Sequence, residues 1–299
     1  MENSQIKPDS LAIGADIGGT HITAALVNLD RKSILPNTAV REQVNSHASP
    51  EEIMEVWSKA IAAAKKEHQV DKISLALPGP FDYETGVCLI KDQDKYERLY
   101  QLNIKEMLAE KLHVDPEMLI MINDAASFIQ GEVFCGAGSG FQRAIGVTLG
   151  TGLGTCVYQN RYSTNADLWC MPFRDSIAEE YLSTRWFIKR YAELTGKKVS
   201  GVRELTTLID EDPIVQDIFD EFGTTLAEFL VQFLAIAPAD VVILGGNISK
   251  SFTFFKKAFF AVRHKEFPNV VIKTATLGEK AALLGAASYW KYKGISLEN

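Results

Sequence analysis

Paired cysteines are missing from this chain: Cys88, Cys135, Cys156 and Cys170 lie far apart, with no C-x-x-C among 299 residues. That scatter argues against a zinc cage and against a disulfide framework, and a reducing cytoplasm is the expected compartment. Long apolar runs are missing too. "EFLVQFLAIAP" falls short of the roughly 20 residues that span a bilayer, and it already carries Glu228 and Gln232. The N-terminal "MENSQIKPDS" lacks the basic-then-apolar order of a secretory signal. Positive charge is also scarce. A net charge of -7 argues against nucleic acid as the main partner, though a small anion could still be held by backbone N–H groups. No Ser/Gly-rich linker divides the chain, so two lobes are expected to sit close together around a cleft.

What is present is ample apolar material, 46% of residues against 23% charged, enough for one large domain or two ordinary ones. "LAIGADIGGTHITAALVNLD" alternates apolar positions at strand spacing on both sides of Gly18-Gly19, which predicts a hairpin with a glycine turn. "AIGVTLGTGLGTCVYQN" repeats the pattern later. Ile13 falls on Ile145, Asp16 on Thr148, Gly18 on Gly150 and Asn28 on Asn160, at a constant offset of 132 with no gap. This reads as an internal duplication; chance likeness between glycine-rich hairpins is the alternative.

Between and after the hairpins the pattern is α/β. "ASPEEIMEVWSKAIAAAKKE" predicts a helix with Ser49 or a neighbour as N-cap, Pro50 at N1 and two glutamates in the first turn. "KISLALPGP" predicts a strand stopped by Pro78-Gly79-Pro80, and "NIKEMLAEKLHV" a second helix. "EMLIMIND" reads as a buried strand running straight into the helical "AASFIQGEVFCGA". From residue 174 the chain is expected to be mostly helical ("SIAEEYLSTRWFIKRYAELTG", "DPIVQDIFDEFGTTLAEFLVQFLAIAP"), with a strand at "DVVILGGNIS" and a last helix at "GEKAALLGAASYWKYK".

Glycine-rich turns let backbone N–H groups approach a phosphate without side chains in the way. Three occur: Gly18-Gly19-Thr20, Gly150-Thr151-Gly152 and Gly245-Gly246. None is a G-x-x-x-x-G-K-[ST] loop or a G-x-G-x-x-G opening a helix. Gly245-Gly246 could equally be a plain turn ending a strand.

Six segments, "GADIGGTHITAALV", "LPGPFD", "INDAASFIQGE", "TLGTGLG", "VVILGG" and "LGEKAALLGAA", stand in the order seen in the ROK family, which the chain resembles over roughly residues 11–288. That family groups bacterial sugar kinases with sugar-responsive repressors. The resemblance implies an α/β, actin-like ATPase (ribonuclease H-like) fold of two lobes with the nucleotide in the cleft. Residues 1–123 would form the smaller lobe, with a final helix at about 279–293 packing back on it, and residues 124–278 the larger. It implies ATP-dependent phosphorylation of a hexose or N-acetylhexosamine, with ATP and Mg²⁺ as cofactors, and a homodimer or homotetramer; charge and the lack of a long apolar run leave no nucleic acid or membrane partner expected. Asp124 matches the catalytic aspartate, taking the proton of the attacking hydroxyl; the alternative for an Asp there is an ordinary helix N-cap. Asn123, Pro78 and Gly79 would line the sugar, although X-Pro-Gly-Pro is a common turn in its own right. Asp16 would place Mg²⁺ through water. Gly18, Gly19, Thr20, Gly150, Thr151 and Gly152 would meet the ATP phosphates, and Gly245 and Gly246 the adenosine.

The chain departs from the family after the second glycine turn. The usual signature is G-E-[IL]-G-H followed by a C-x-C-G-x-x-G-C-x-E zinc module; here stands "ADLWCMPFRDSIAEEYLS". Aligning the shared "MP" and "EEYLS" puts Asp167 at the acidic sugar ligand, Trp169 at the second glycine, Cys170 at the histidine and Glu179 at the closing glutamate. No structural zinc is expected. Asp for Glu shortens the reach, and Cys for His removes an imidazole hydrogen bond. Each position keeps a plain alternative: an Asx-turn for Asp167, a capping box from Ser176 for Glu179, burial against a neighbouring helix rather than sugar stacking for Trp169. A sugar sensor that keeps the fold without turnover is the rival to an enzyme. A repressor is disfavoured, because only about ten residues precede the first motif.

Overall fold

The computed structural model describes residues 10–293, so the polar N-terminal stretch lies outside the described residues. Two compact units emerge, one from residues up to Ser139 with Asn160–Ser163 and the segment from Glu279 onward, the other from Gly140–Gln159 and Thr164–Gly278.

In the first unit β1 (Leu11–Ile17) and β2 (His21–Asn28) form the expected hairpin, with β3 (Ser33–Ile34) and β4 (Val40–Gln43) both pairing with β2. Helix α1 (Pro50–Lys65) follows, with Ser49 as its N-cap and Glu52 closing a capping box. Then come β5 (Ile73–Leu77), the short β6 (Phe81–Asp82) and β7 (Val87–Cys88), α2 (Ile104–Leu112), β8 (Leu119–Asn123) and α3 (Asp124–Cys135). The main sheet runs β3-β2-β1-β5-β8, the last three strands parallel. Alternation along the strands divides its faces. Ile13, Ala15 and Ile17 join Leu75, Leu77 and Met121 in a core with Trp57 of α1 and Leu108 of α2. Ala76 and Ile122, one residue out of step, pack instead with Ala126 of α3 and Ala286 of the final helix.

In the second unit β9 (Ala144–Leu149), β10 (Leu153–Gln159) and β11 (Tyr162–Asn165) lead to β12 (Pro172–Phe173), β13 (Ser176–Ile177), α4 (Ala178–Tyr181), α5 (Thr184–Thr195) and α6 (Val202–Leu208). The long α7 (Pro213–Ile236) has Asp212 as N-cap and Pro213 at N1. After it come β14 (Val241–Gly245), α8 (Gly246–Ser249), α9 (Phe252–Glu266) and β15 (Val271–Thr274), and the chain ends in α10 (Lys280–Tyr292), which belongs to the first unit. The sheet order is β11-β10-β9-β14-β15, again a hairpin flanked by two parallel strands, so the two sheets repeat one topology. The core is rich in phenylalanine: Phe187 of α5, Phe219, Phe222, Phe229 and Phe233 of α7, and Phe255 and Phe259 of α9 are fully buried.

Two details correct the sequence reading. The segment expected as one helix from Ser176 breaks at Leu182–Ser183 into α4 and α5, and the capping box on Ser176 does not form; Ile177 is the N-cap of α4, with no side-chain cap. Helices α3 and α10 cross so closely that a Cβ on Gly131 or Gly285 would collide with backbone of the other helix, which explains glycine in two helix interiors. No helix of the described residues is long and apolar enough to cross a membrane.

Candidate functional site

Parallel register brings the first unit's site together. Asp16 pairs across to Ala76, Ala76 to Ile122, and Leu77 to Asn123, so Asp16, the Pro78-Gly79 turn and Asn123-Asp124 meet where β1, β5 and β8 end. The C-terminal edge of parallel strands is where α/β folds place ligand groups, since loops and helix starts converge there.

Asn123 is the N-cap of α3; its Oδ1 accepts from the N–H of Ala125 (3.0 Å) and Ala126 (3.2 Å), and its Nδ2 donates to the Tyr83 hydroxyl at 3.2 Å. The N-cap alternative for Asp124 is thereby overturned: the cap is one residue earlier, and Asp124 is the first helical residue. One Asp124 oxygen accepts from Ala125 N–H at 2.8 Å. Asp124 keeps solvent-accessible surface, yet surrounding protein strips enough hydration to raise its carboxyl above the ordinary range, opposed by the Ala125 N–H and by the charge of Lys95. Asp16 is half-buried, and burial first, then the nearby Asp124 and Glu279, push its carboxyl up to about 6.

Beside them the Gly18-Gly19-Thr20 turn closes the hairpin through Gly18 N–H to His21 O (2.9 Å), and the Tyr96 hydroxyl donates to Gly18 O at 2.6 Å. His21 Nε2 lies 2.8 Å from Arg41 Nη2, and its Nδ1 is 3.1 Å from Thr20 Oγ1. A guanidinium can only donate, so Nε2 accepts and the ring proton sits on Nδ1, pointing at Thr20. Arg41 also pairs with Glu279 at 3.3 Å. A groove of about 1130 Å³ opens from Thr20 and His21 past Arg41 along Glu51, Glu52 and Glu55, but neither Asp16 nor Asp124 lines it.

In the second unit Gly150-Thr151-Gly152 turns β9 into β10. Thr184 pins it by donating through N–H (2.8 Å) and hydroxyl (2.9 Å) to Gly150 O. Glu179 sits beneath: Oε2 accepts from Leu153 N–H at 3.0 Å and Oε1 from Arg185 at 2.8 Å. Its carboxylate packs so near Gly152 that a side chain there would displace it. Gly245 pairs with Thr148 at the base of the same turn, and Gly246 takes φ 82° with its backbone against Leu149, where a Cβ would collide.

The stretch around Trp169 is a 3-10 turn, Leu168–Cys170. Asn165, not Asp167, supplies the Asx-turn, accepting from Asp167 N–H at 3.2 Å while its amide donates to the Asp167 carboxylate at 2.8 Å. Trp169 is 44% exposed, which overturns its expected burial: Leu168 and Met171 on either side of it pack on the core, and Trp169 is left at the surface. Cys170 is an exposed free thiol. Among the described residues, no group of three or more His, Cys, Asp or Glu is placed to hold a metal ion. Sequence reasoning missed Tyr83, Lys95, Arg41 and Arg185. None lies in a glycine motif, and each takes its place through a fold contact that no local pattern encodes.

A family model described as "ROK family" matches residues 12–165 and 170–293. Glucokinase of Thermotoga maritima is 24% identical over 322 residues, covering 95% of this chain and 98% of that protein. Beta-glucoside kinase of Listeria innocua is 24% identical over 292 residues, covering 92% and 95%. The crystal structure of a ROK family glucokinase from Streptomyces griseus in complex with glucose and AMPPNP superposes with a TM-score of 0.71 at 22% identity, covering 93% of this chain and 98% of that one. With its two like-built sheets and the motifs at their strand ends, this chain belongs to the ROK family and has the α/β actin-like ATPase fold.

Proposed function

We propose that the chain is an ATP-dependent sugar kinase that moves the γ-phosphoryl group of ATP to a hydroxyl of a hexose or N-acetylhexosamine. The observation that carries this reading is the division of labour between neighbours: Asn123 caps α3, which leaves Asp124 free at the strand end with one carboxylate oxygen uncommitted and its carboxyl raised. A base whose pKa is lifted toward the working pH accepts a hydroxyl proton more readily than an ordinary carboxylate. Membership of a family with sugar kinases among its relatives, one of them solved with glucose and AMPPNP, supports the substrate classes.

Asp124 would take the proton of the sugar hydroxyl as its oxygen attacks the γ-phosphorus. Gly79 lies against Tyr83 and the Asn123 amide, a polar corner suited to sugar hydroxyls, with Pro78 shaping the turn. In the first turn the N–H groups of Gly19 and Thr20 would bind phosphate oxygens while Gly18 N–H closes the hairpin; in the second, those of Thr151 and Gly152 would do so while Gly150 N–H closes its turn. Gly245 and Gly246 would bear on the adenosine. For Glu179 the hydrogen bonds favour a brace under the second turn over a sugar ligand. Asp167 and Trp169 are surface groups available to a sugar.

The residues also fit Mg²⁺ arriving with the nucleotide. Asp16, with Asp124 and Glu279 near enough to help raise its carboxyl against the charge of Arg41, is a hard-oxygen setting rich in carboxylate. Mg²⁺ takes one or two carboxylates beside phosphate oxygens and water, and supplies charge neutralisation on the phosphates.

A coupled ADP-release assay over hexoses, N-acetylhexosamines and β-glucosides, with Asp124→Ala in parallel, tests the proposal. Sugar-dependent ADP release that disappears in Asp124→Ala is the expected outcome. Saturable sugar binding without turnover of any acceptor would instead make the chain a sensor.

A further inference from the structure

Two cations stand near the first glycine turn. Arg41 is committed to His21 and Glu279. Lys95 is not: among the described residues its ammonium makes no ion pair or hydrogen bond. Its stem passes over the turn, Cδ 3.8 Å from where a Cβ on Gly19 would stand, and its charge is felt at Asp124.

The segment that presents Lys95 is held rather than loose. Asp92, Asp94 and Tyr96 take left-handed φ of 56°, 54° and 55°, a conformation that is uncommon for a bulky residue such as Tyr96. What compensates is tethering of Tyr96, which is fully buried. Its ring packs edge-on to Trp57 at 5.5 Å, its hydroxyl donates to Gly18 O, and its N–H donates to Ser46 O at 3.0 Å. Backbone held in costly conformations by its surroundings is a mark of positioned function. Here it lays the Lys95 stem against a phosphate-type turn, with the unpaired ammonium close enough for its charge to act on the proposed base.

We propose that Lys95 is a catalytic residue that meets the γ-phosphoryl group of the nucleotide over Gly18-Gly19 and supplies positive charge there during transfer, an assignment that rests on the kinase reading. In that step the sugar oxygen bonds to the γ-phosphorus and the bond from that phosphorus to the β–γ bridging oxygen breaks. The electron pair stays on the ADP oxygen, and the hydroxyl proton goes to Asp124. Lys95 remains protonated throughout.

The test pairs calorimetry of ADP and of ADP–beryllium fluoride, a mimic of ATP with its γ-phosphoryl, with kinetics on the best acceptor of the sugar panel. Lys95→Met keeps the stem and removes the charge. It is expected to weaken ADP–beryllium fluoride at least about tenfold while ADP alone stays within about threefold. It should lower kcat about 10²-fold with the sugar KM nearly unchanged, as for loss of one transition-state donor. Lys95→Arg is expected to recover at least about a tenth of kcat, and an unchanged melting temperature checks the fold. Equal weakening of both ligands, or an unchanged kcat in Lys95→Met, overturns the assignment. Failure of the unaltered chain to bind either nucleotide form overturns the kinase reading and Lys95 with it.

Discussion

The two glycine-turned hairpins share strand order and pairing but not chemistry. At the first, Asp16 stands on β1 and the ionisable groups Asp124, Glu279, Arg41 and Lys95 bear on it or on its neighbour. At the second, Thr148 occupies the place of Asp16, and the turn is braced from below by Glu179 and Thr184 through backbone contacts. The two turns are thus equivalent in topology, with charge gathered around one and backbone support around the other. The first is suited to reacting atoms; the second is suited to holding an anion through N–H groups alone.

Changes at Asp16 should break that contrast most. Asp16→Asn is expected to lower sugar-dependent ADP release at least about a hundredfold, the scale of losing one positioned charge at a phosphoryl-transfer site. Stability should move the other way. Because the Asp16 carboxyl titrates at about 6 rather than 3.8, the folded chain holds an extra proton between those values. Stability therefore drains as pH rises through that window and is not regained above it. Without nucleotide or Mg²⁺, Asp16→Asn should be more stable by about 1–3 kcal/mol at pH 7, with the gain fading toward pH 4. Thermal melts across pH check this; a loss of stability at pH 7 would contradict it.

Glu179→Ala probes the opposite turn. Leu153 N–H loses its partner and Arg185 is left with Glu180, which should cost about 1–3 kcal/mol in a denaturant titration, and the KM for ATP should rise more than kcat falls. A sugar ligand at Glu179 would shift the sugar KM instead. Asn123→Ala should cost about 1 kcal/mol, the usual worth of an N-cap, and should also loosen Tyr83 and Gly79, raising the sugar KM. The smallest stability effect is expected at Trp169→Ala, within about 0.5 kcal/mol, because the ring is a surface group. Its sugar KM then reports directly on stacking.

Much of this was legible in the residues. The Gly18-Gly19 hairpin, Ser49 and Pro50 at the start of α1, the stop at Pro78-Gly79-Pro80 and the strand running into α3 all follow from local pattern, and local hydrogen bonds and dihedrals enforce them. The repeat of sheet order bears on the constant offset between the hairpins. What could not be read depends on contacts across the fold. Whether Asn123 or Asp124 caps α3 is a difference of one residue in where β8 ends. The Ser176 pattern offered Glu179 a capping box, but Leu153 N–H and Arg185 compete for the carboxylate and win it. Trp169 looked like core material from its type alone, whereas exposure is set by the three-residue turn carrying it. Lys95 sits in "KDQDKYERL", a charged run with no motif, and acquires its place only through the burial of Tyr96.

The central claim is that the Asp124 carboxylate is the base. It is tested most directly by following its carboxyl resonance by carbon NMR while kcat is measured on the same preparation from pH 4 to 9. The account predicts that both titrate together, with a midpoint above the ordinary carboxylate range, and that activity falls as Asp124 protonates on the acid side. An Asp124 that titrates while kcat stays flat, or an acid limb that survives in Asp124→Asn at undiminished rate, would contradict it.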